Sequence, residues 1–414
     1  MRPSMQPAER YHSLDSLRAL MMFLGILLHG MLSFTEMPVP FWPAHDDERS
    51  PVNDFFIFLV HAFRMQTFFF LAGFFGALLV ERYGVGGMFR HRFLRIVIPF
   101  VLGLIFIQPT LQVFWIIGNV TSIGSPPVVL DTSVSERLRD HFCSGRFIEY
   151  IHPYHMWFLY YLLYFFVAMI PLVYLGRCLA ATRLGRGFDR IIQRLFVLPG
   201  KTVILALPTT LLLWPMMVWG MSDTPFGWKP LFHLLGYYFY FFLLGWLLWR
   251  HRDLLPSFRR RWVYALVIGQ IVVLPIMLKL IFGVVERLIK KEGELPGFGY
   301  QLATNFAGAL YTWLTLGGLL GLFQSCFSRE RPWVRYLSDA SYWCYLWHLT
   351  PIIALQIALS HAPLPGLLKF AIVIGVSMTL LLVTYEYCVR YTFIGGILNG
   401  RKFRKPRDGR AGAL

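Results

Sequence analysis

Charge is what this sequence has least of. Asp, Glu, Lys and Arg together make up 15% of its 414 residues, against about 25% in an ordinary soluble domain. Hydrophobic side chains reach 56% and aromatic ones 17%, so a water-facing globule of the usual kind is excluded. Walker A, GxGxxG, GxSxG and HExxH patterns are absent, which removes the chemistries those spacings serve. The five cysteines (Cys143, Cys178, Cys326, Cys344 and Cys388) form no CxxC pair and no Cys/His spacing suited to zinc, and no metal is expected. Gly/Ser linkers, low-complexity stretches and repeats of roughly 20 to 50 residues are missing too, so nothing divides the chain.

What is present is a series of long apolar runs. Ten lie near residues 14–34, 54–80, 93–117, 154–175, 199–219, 230–249, 262–283, 300–324, 341–360 and 364–389, each close to the roughly 20 residues that span a bilayer as a helix. The expected fold class is an all-α polytopic membrane protein of about ten transmembrane helices. Residues 1–13 read as an N-terminal tail, 14–390 as one transmembrane domain and 391–414 as a basic C-terminal tail. The first run carries Asp15, Arg18 and His29 and lacks a small-residue cleavage site, so it is expected to remain as a helix rather than to be removed as a signal peptide.

Lys and Arg are distributed unevenly between alternate loops. With the N-terminus cytoplasmic, 26 of the 39 basic residues fall on the inner side and 8 on the outer side. That bias places both termini in the cytoplasm. The net charge of +17 is then a topology signal. A nucleic-acid reading would require a basic face with interleaved aromatics on a soluble fold. Only Cys143 falls in an outer loop, so no structural disulfide is expected.

Ionisable groups inside apolar runs cost several kcal/mol unless they face a cavity or each other, which makes them candidate functional residues. His29 lies within the run Leu14–Phe34, and Arg18 precedes it by eleven residues, about 16 Å along a helix. Arg64 interrupts the next run. Taken alone, His29 could be a base or a core histidine bonded to a neighbouring helix, and Arg64 an anion holder or half of a structural ion pair. Asp15 and Arg18, three apart, can pair on one helical face. Any activity rests on such embedded residues, whether enzymatic or, in the alternative reading, that of a secondary transporter or flippase for an anionic substrate. A transporter of that kind is expected to show internal repeats, and none are apparent.

The spacing of Arg18 and His29, the stretch Asn53-Asp54 with His61-Ala-Phe-Arg64-Met-Gln66, Arg92-Phe-Leu-Arg95, His155-Met-Trp157, Ser341 to His348, and Tyr385-Glu386 occur in one order along the chain. Together they resemble the acyltransferase-3 membrane family, and among its members those that succinylate periplasmic glucans. The resemblance covers nearly the whole chain. It implies a bacterial inner-membrane enzyme that carries an acyl group, expected to be succinyl, from cytoplasmic acyl-CoA to hydroxyls of a periplasmic glucan, in contact with lipid and with glucan synthesis machinery. No cofactor is expected to remain bound; succinyl-CoA would be a co-substrate.

By this resemblance His29 would be the general base, since a neutral imidazole suits proton abstraction near pH 7. Arg64 would join it as a catalytic residue. Arg18, Arg92, Arg95, His348 and Glu386 would hold the donor, His155 and Trp157 the acceptor, and Asp15, Ser341 and Tyr345 would orient the site. Direct transfer is expected, because no covalent nucleophile stands out.

Overall fold

Inside a bilayer the backbone has no water to bond to, so helices, which satisfy their own N–H and C=O groups, are the expected solution. The computed structural model describes residues 11–37, 39, 41–121, 133–225, 227–290, 296–400 and 403, and these are helical or irregular, with no strand among them. The helices are α1 (His12–Met31), α2 (Pro51–Arg92), α3 (Ile98–Thr121), α4 (Val134–Cys143), α5 (Trp157–Ala180), α6 (Arg183–Val197), α7 (Lys201–Leu212) and α8 (Phe232–Arg250). They continue with α9 (Trp262–Val267), α10 (Leu274–Lys290), α11 (Phe298–Cys326), α12 (Pro332–Trp347), α13 (Leu349–Leu359), α14 (Gly366–Thr384) and α15 (Phe393–Asn399).

Seven helical stretches are long and apolar enough to cross a membrane, or eight if the bent pair α6 and α7 counts as one. The chain is thus a multi-pass membrane protein, with fewer qualifying spans than the ten expected. Three departures account for the difference. Two expected segments merge in the 71-residue stretch Pro51–Thr121, which turns at Gly84 (φ 70°, ψ 177°) and runs through a π-helical turn at Phe93–Val97. The expected run 341–360 divides at His348 into α12 and the 11-residue α13.

The third departure is residues 199–219, which do not form a straight span. α7 follows a 110° bend and has only 12 residues. Irregular backbone after it lies beside α2 and α11, where side chains satisfy its polar groups as a membrane interior requires. The amide of Gly220, in the left-handed region at φ 81°, donates to Asn305 Oδ1 at 2.8 Å. His61 Nε2 bonds the Ser222 carbonyl at 2.9 Å.

Helix α1 is ringed by α2, α11, α12, α13 and α14. Helices α2 and α8 pack through glycines: a Cβ on Gly73 would strike the backbone of Phe242, and one on Gly245 the backbone of Phe70. Small residues at such crossings let membrane helices approach closely. One face of the bundle gathers the start of α1, the end of α2 and the end of α8, where Trp249 Nε1 donates to Glu81 at 2.7 Å and packs edge-on to Tyr11. We call it the basic face, since Arg82 to Arg95 and Arg250 to Arg261 lie there.

At the opposite face Asn53 Nδ2 donates to the Phe34 carbonyl at 2.8 Å, and Asp54 accepts from the amides of Glu36 and Met37 at 2.9 and 3.1 Å. The loop after α1 is held further by a buried ion pair, Lys369 Nζ to Asp46 at 2.8 Å, both side chains 2% exposed. Residues 1–10, with Arg2 and Arg10, lie outside the described residues, as do Lys291 and the basic residues of 401–410. The expected C-terminal tail contains α15, which packs on α12 and on the turn at 93–97.

Candidate functional site

His29 stands in the last turn of α1, half-buried and toward the opposite face. Its Nδ1 lies 2.9 Å from Nε2 of His348, the residue at the break between α12 and α13. The other ring nitrogen of His348, Nδ1, lies 2.7 Å from the carbonyl of Tyr345. A carbonyl only accepts, so the network assigns the proton of His348 to Nδ1 and leaves its Nε2 as an acceptor. His29 must then donate from Nδ1. Its Nε2 keeps a free lone pair, the form a base requires.

His348, expected from the resemblance to contact the donor, pairs with His29. The break between α12 and α13 brings it against His29, where it sets the tautomer. His155 joins the same cluster: its ring lies 5.0 Å from that of His348, its Nε2 donates to the Leu346 carbonyl at 3.0 Å, and its buried Nδ1 has no partner among the described residues. Tyr345 orients the group, donating its hydroxyl to the His155 carbonyl at 2.9 Å. Ser341 bonds within its own helix, to the Ser338 carbonyl at 2.9 Å. Trp157 is 5% exposed and packs against Tyr161 and Tyr238, which places it in the core rather than on a surface open to a sugar.

Arg64 reaches α1 one turn before His29. A Cβ on Gly25 would lie inside the contact distance of its Nη1 and 3.2 Å from its Cζ, so the guanidinium rests on the bare backbone of that glycine. Gly25 and His29 are about 6 Å apart along the helix. Arg64 makes no ion pair among the described residues, and its Nε is buried without a partner. The structural ion pair that would have explained this arginine is therefore not found among the described residues.

Two residues that the sequence reading missed hold His29 in place. Trp42 stacks parallel to its ring at 5.9 Å and donates from Nε1 to Gln356 Oε1 at 3.0 Å. Gln356 in turn donates to the carbonyls of His29 and Gly30 at 3.1 and 3.0 Å. The only signal for Gln356 was a lone amide in an apolar run, and Trp42 lies in a loop with none.

Toward the basic face, Arg18 pairs with Asp15 at 3.1 Å and lies within electrostatic reach of Arg92 and Arg95. Buried Nε atoms of Arg92 and Arg95 have no partner among the described residues, and Arg92 lies over the Phe166 ring at 4.6 Å. Tyr342 donates to the Arg95 carbonyl at 2.6 Å, while Gly400, at the end of α15, packs on the Arg95 guanidinium. Unpartnered donors on Arg92 and Arg95, with Arg18 nearby, are the kind of group that phosphates accept from. Glu386 is not part of this group: its carboxylate is taken by Arg390 at 2.8 Å and the Tyr391 hydroxyl at 2.6 Å.

On the opposite side a cleft of about 340 Å³ opens between α3, α4 and the loop before α5. Trp115, Tyr150 and Tyr154 line it together with Asn119, Asp140 and Arg146. The Tyr154 ring lies 5.0 Å from Trp115, and Trp115 lies 5.8 Å from Trp42, the ring stacked on His29. The cleft is thereby linked to the histidine cluster by continuous aromatic packing.

A helical membrane bundle with an embedded His/Arg pair, arginines on one side and an aromatic cleft on the other is the setting in which its family becomes clear. Residues 11–386 match the acyltransferase domain family, and the chain belongs to it. It is similar to glucans biosynthesis protein C of Escherichia coli (strain K12) and to the protein of that name from Shigella dysenteriae serotype 1 (strain Sd197), 35% identical to each over 98 residues. The match covers 24% of this chain and 25% of each relative, so the chain spans about a quarter of the length of the curated relatives it matches. No solved structure matches it.

Proposed function

We propose that this protein is a membrane O-acyltransferase of the bacterial inner membrane. Acyl-CoA enters at the basic face, read as cytoplasmic, and a glucan hydroxyl enters at the opposite, periplasmic face. The observation that carries the reading is the hydrogen-bond order from Tyr345 through His348 to His29, which leaves Nε2 of His29 unprotonated beside Arg64, a guanidinium with no ion-pair partner among the described residues.

The glucan hydroxyl oxygen attacks the thioester carbonyl carbon as its proton passes to His29 Nε2. The tetrahedral intermediate then collapses, the C–S bond breaks, and the leaving thiolate takes the proton from the imidazolium. An ester and free coenzyme A result, with no oxidant and no covalent enzyme intermediate. Arg64 holds negative charge at this point, either the oxyanion on the former carbonyl or the distal carboxylate of a succinyl chain, for which a guanidinium offers two parallel donors. Arg18, Arg92 and Arg95 hold the donor's phosphates. The name of the relatives supports a glucan acceptor, and the outer cleft suits one: rings present faces to sugars while Asn119, Asp140 and Arg146 offer planar polar groups.

Mass spectrometry of periplasmic glucans from cells with and without the protein tests the reading. An anionic succinyl ester present in the first and absent from the second is expected. Glucans that are identical in both, or that differ only in amount exported, would reject it.

A further inference from the structure

A second site lies at the basic face, away from the histidine cluster. Helix α6 carries three distinct faces. Ile192 and Phe196 are buried against the bundle. Leu184, Phe188 and Ile191, at i, i+4 and i+7, are 72, 51 and 63% exposed, and Arg183, Arg186, Arg190 and Arg194 form a basic strip beside them. Asp189 fixes the helix to the end of α8 through Arg250 and His251, each at 3.4 Å. A short helix with an apolar stripe flanked by arginines, turned 110° from the helix that follows it, suits the plane of a membrane interface.

Under the elbow between α6 and α7 is a cavity of about 580 Å³. Phe196, Leu205 and Trp313 form apolar wall, and Lys201, Arg260 and Arg261 bring three cations to it, with no carboxylate among its lining residues. Lys201 Nζ uses one donor on the Phe196 carbonyl at 2.8 Å and sits 3.9 Å over the Phe258 ring, leaving two N–H groups. Neither Arg260 nor Arg261 has an ion-pair partner among the described residues. Val197 and Leu198 also line the cavity and are themselves exposed at the end of the apolar stripe, so the cavity adjoins that exposed apolar surface. None of its lining residues belongs to the donor arginines or to the histidine cluster.

We propose that this cavity holds one anionic phospholipid of the surrounding membrane. The phosphate meets Lys201, Arg260 and Arg261, and an acyl chain lies along Phe196, Leu205 and Trp313. Charge complementarity selects the headgroup, since basic pockets between membrane helices attract anionic lipids, and the apolar wall distinguishes a lipid from a free phosphate. The site is independent of acyl transfer.

Native mass spectrometry of the full-length protein in non-ionic detergent, given equal amounts of phosphatidylglycerol and phosphatidylcholine with the same chains, tests the proposal. The protein should retain one phosphatidylglycerol about tenfold more often than phosphatidylcholine. The triple variant Lys201→Gln, Arg260→Gln, Arg261→Gln should lose that preference. Equal retention of both lipids, an unchanged preference in the triple variant, or displacement of the lipid by millimolar inorganic phosphate would overturn it. Should the variant fold poorly, quenching in the unaltered protein decides: brominated phosphatidylglycerol should quench a fraction of the tryptophan fluorescence that Trp313→Phe removes, whereas equal quenching by brominated phosphatidylcholine rejects the site.

Discussion

Replacing Gly25 with alanine adds one methyl group at the point where Arg64 rests on α1. The new Cβ would overlap Nη1 and lie 3.2 Å from Cζ and 3.9 Å from Nη2, while ordinary carbon contacts fall near 3.5 to 4.0 Å. All three of its nearest atoms belong to the Arg64 guanidinium, the far end of a flexible side chain, so a shift of roughly 1 Å relieves the overlap without moving backbone. Stability should not fall, because alanine is favoured over glycine within a helix by about 1 kcal/mol. Catalysis should fall steeply, since a displacement of about 1 Å in a positioned group can cost on the order of 10²-fold. Acyl transfer from acyl-CoA to glucan in membrane vesicles, with thermal unfolding in detergent alongside, measures both quantities. Activity within about threefold of the parent protein would refute a role for Arg64 placed by Gly25, and a large loss of stability would refute the account of which atoms yield.

His29→Ala should lower transfer by about 10²-fold or more, the scale of a lost general base, without loss of membrane insertion; activity within about tenfold would remove that role. Arg92→Ala and Arg95→Ala should each weaken acyl-CoA binding by about 1.5 to 3 kcal/mol in calorimetry, and unchanged affinity in the double variant would return both to topology anchors. Trp115→Ala should raise the KM for glucan while leaving donor affinity unchanged; the opposite pattern would exclude the outer cleft as acceptor site. Reporters active only in the periplasm should be silent when fused at Leu414 and active when placed beside Cys143, because 26 basic residues against 8 favour a cytoplasmic C-terminus. The reverse result would invert the route of transfer.

Much of this architecture is a local property of the chain and so could be read directly from it. Apolar runs of spanning length mark a multi-pass protein because each run must satisfy its own backbone in lipid. The eleven-residue step from Arg18 to His29 on one helix sets their separation along α1 whatever surrounds them. Other features arose only from packing between distant segments. His29 and His348 are 319 residues apart in sequence, and nothing local to either indicates that one fixes the tautomer of the other. Arg64 meets Gly25 because neighbouring helices approach closely at a residue without a side chain. Trp42 and Gln356 lock the end of α1 from a loop and from α13. The run 341–360 looked continuous because hydropathy registers apolar content and not a break at His348, and the elbow at Lys201 was hidden for the same reason. Apolar periodicity tells a segment that it is buried; which polar atoms meet there depends on the angles and separations at which the helices pack, and these only the tertiary structure decides.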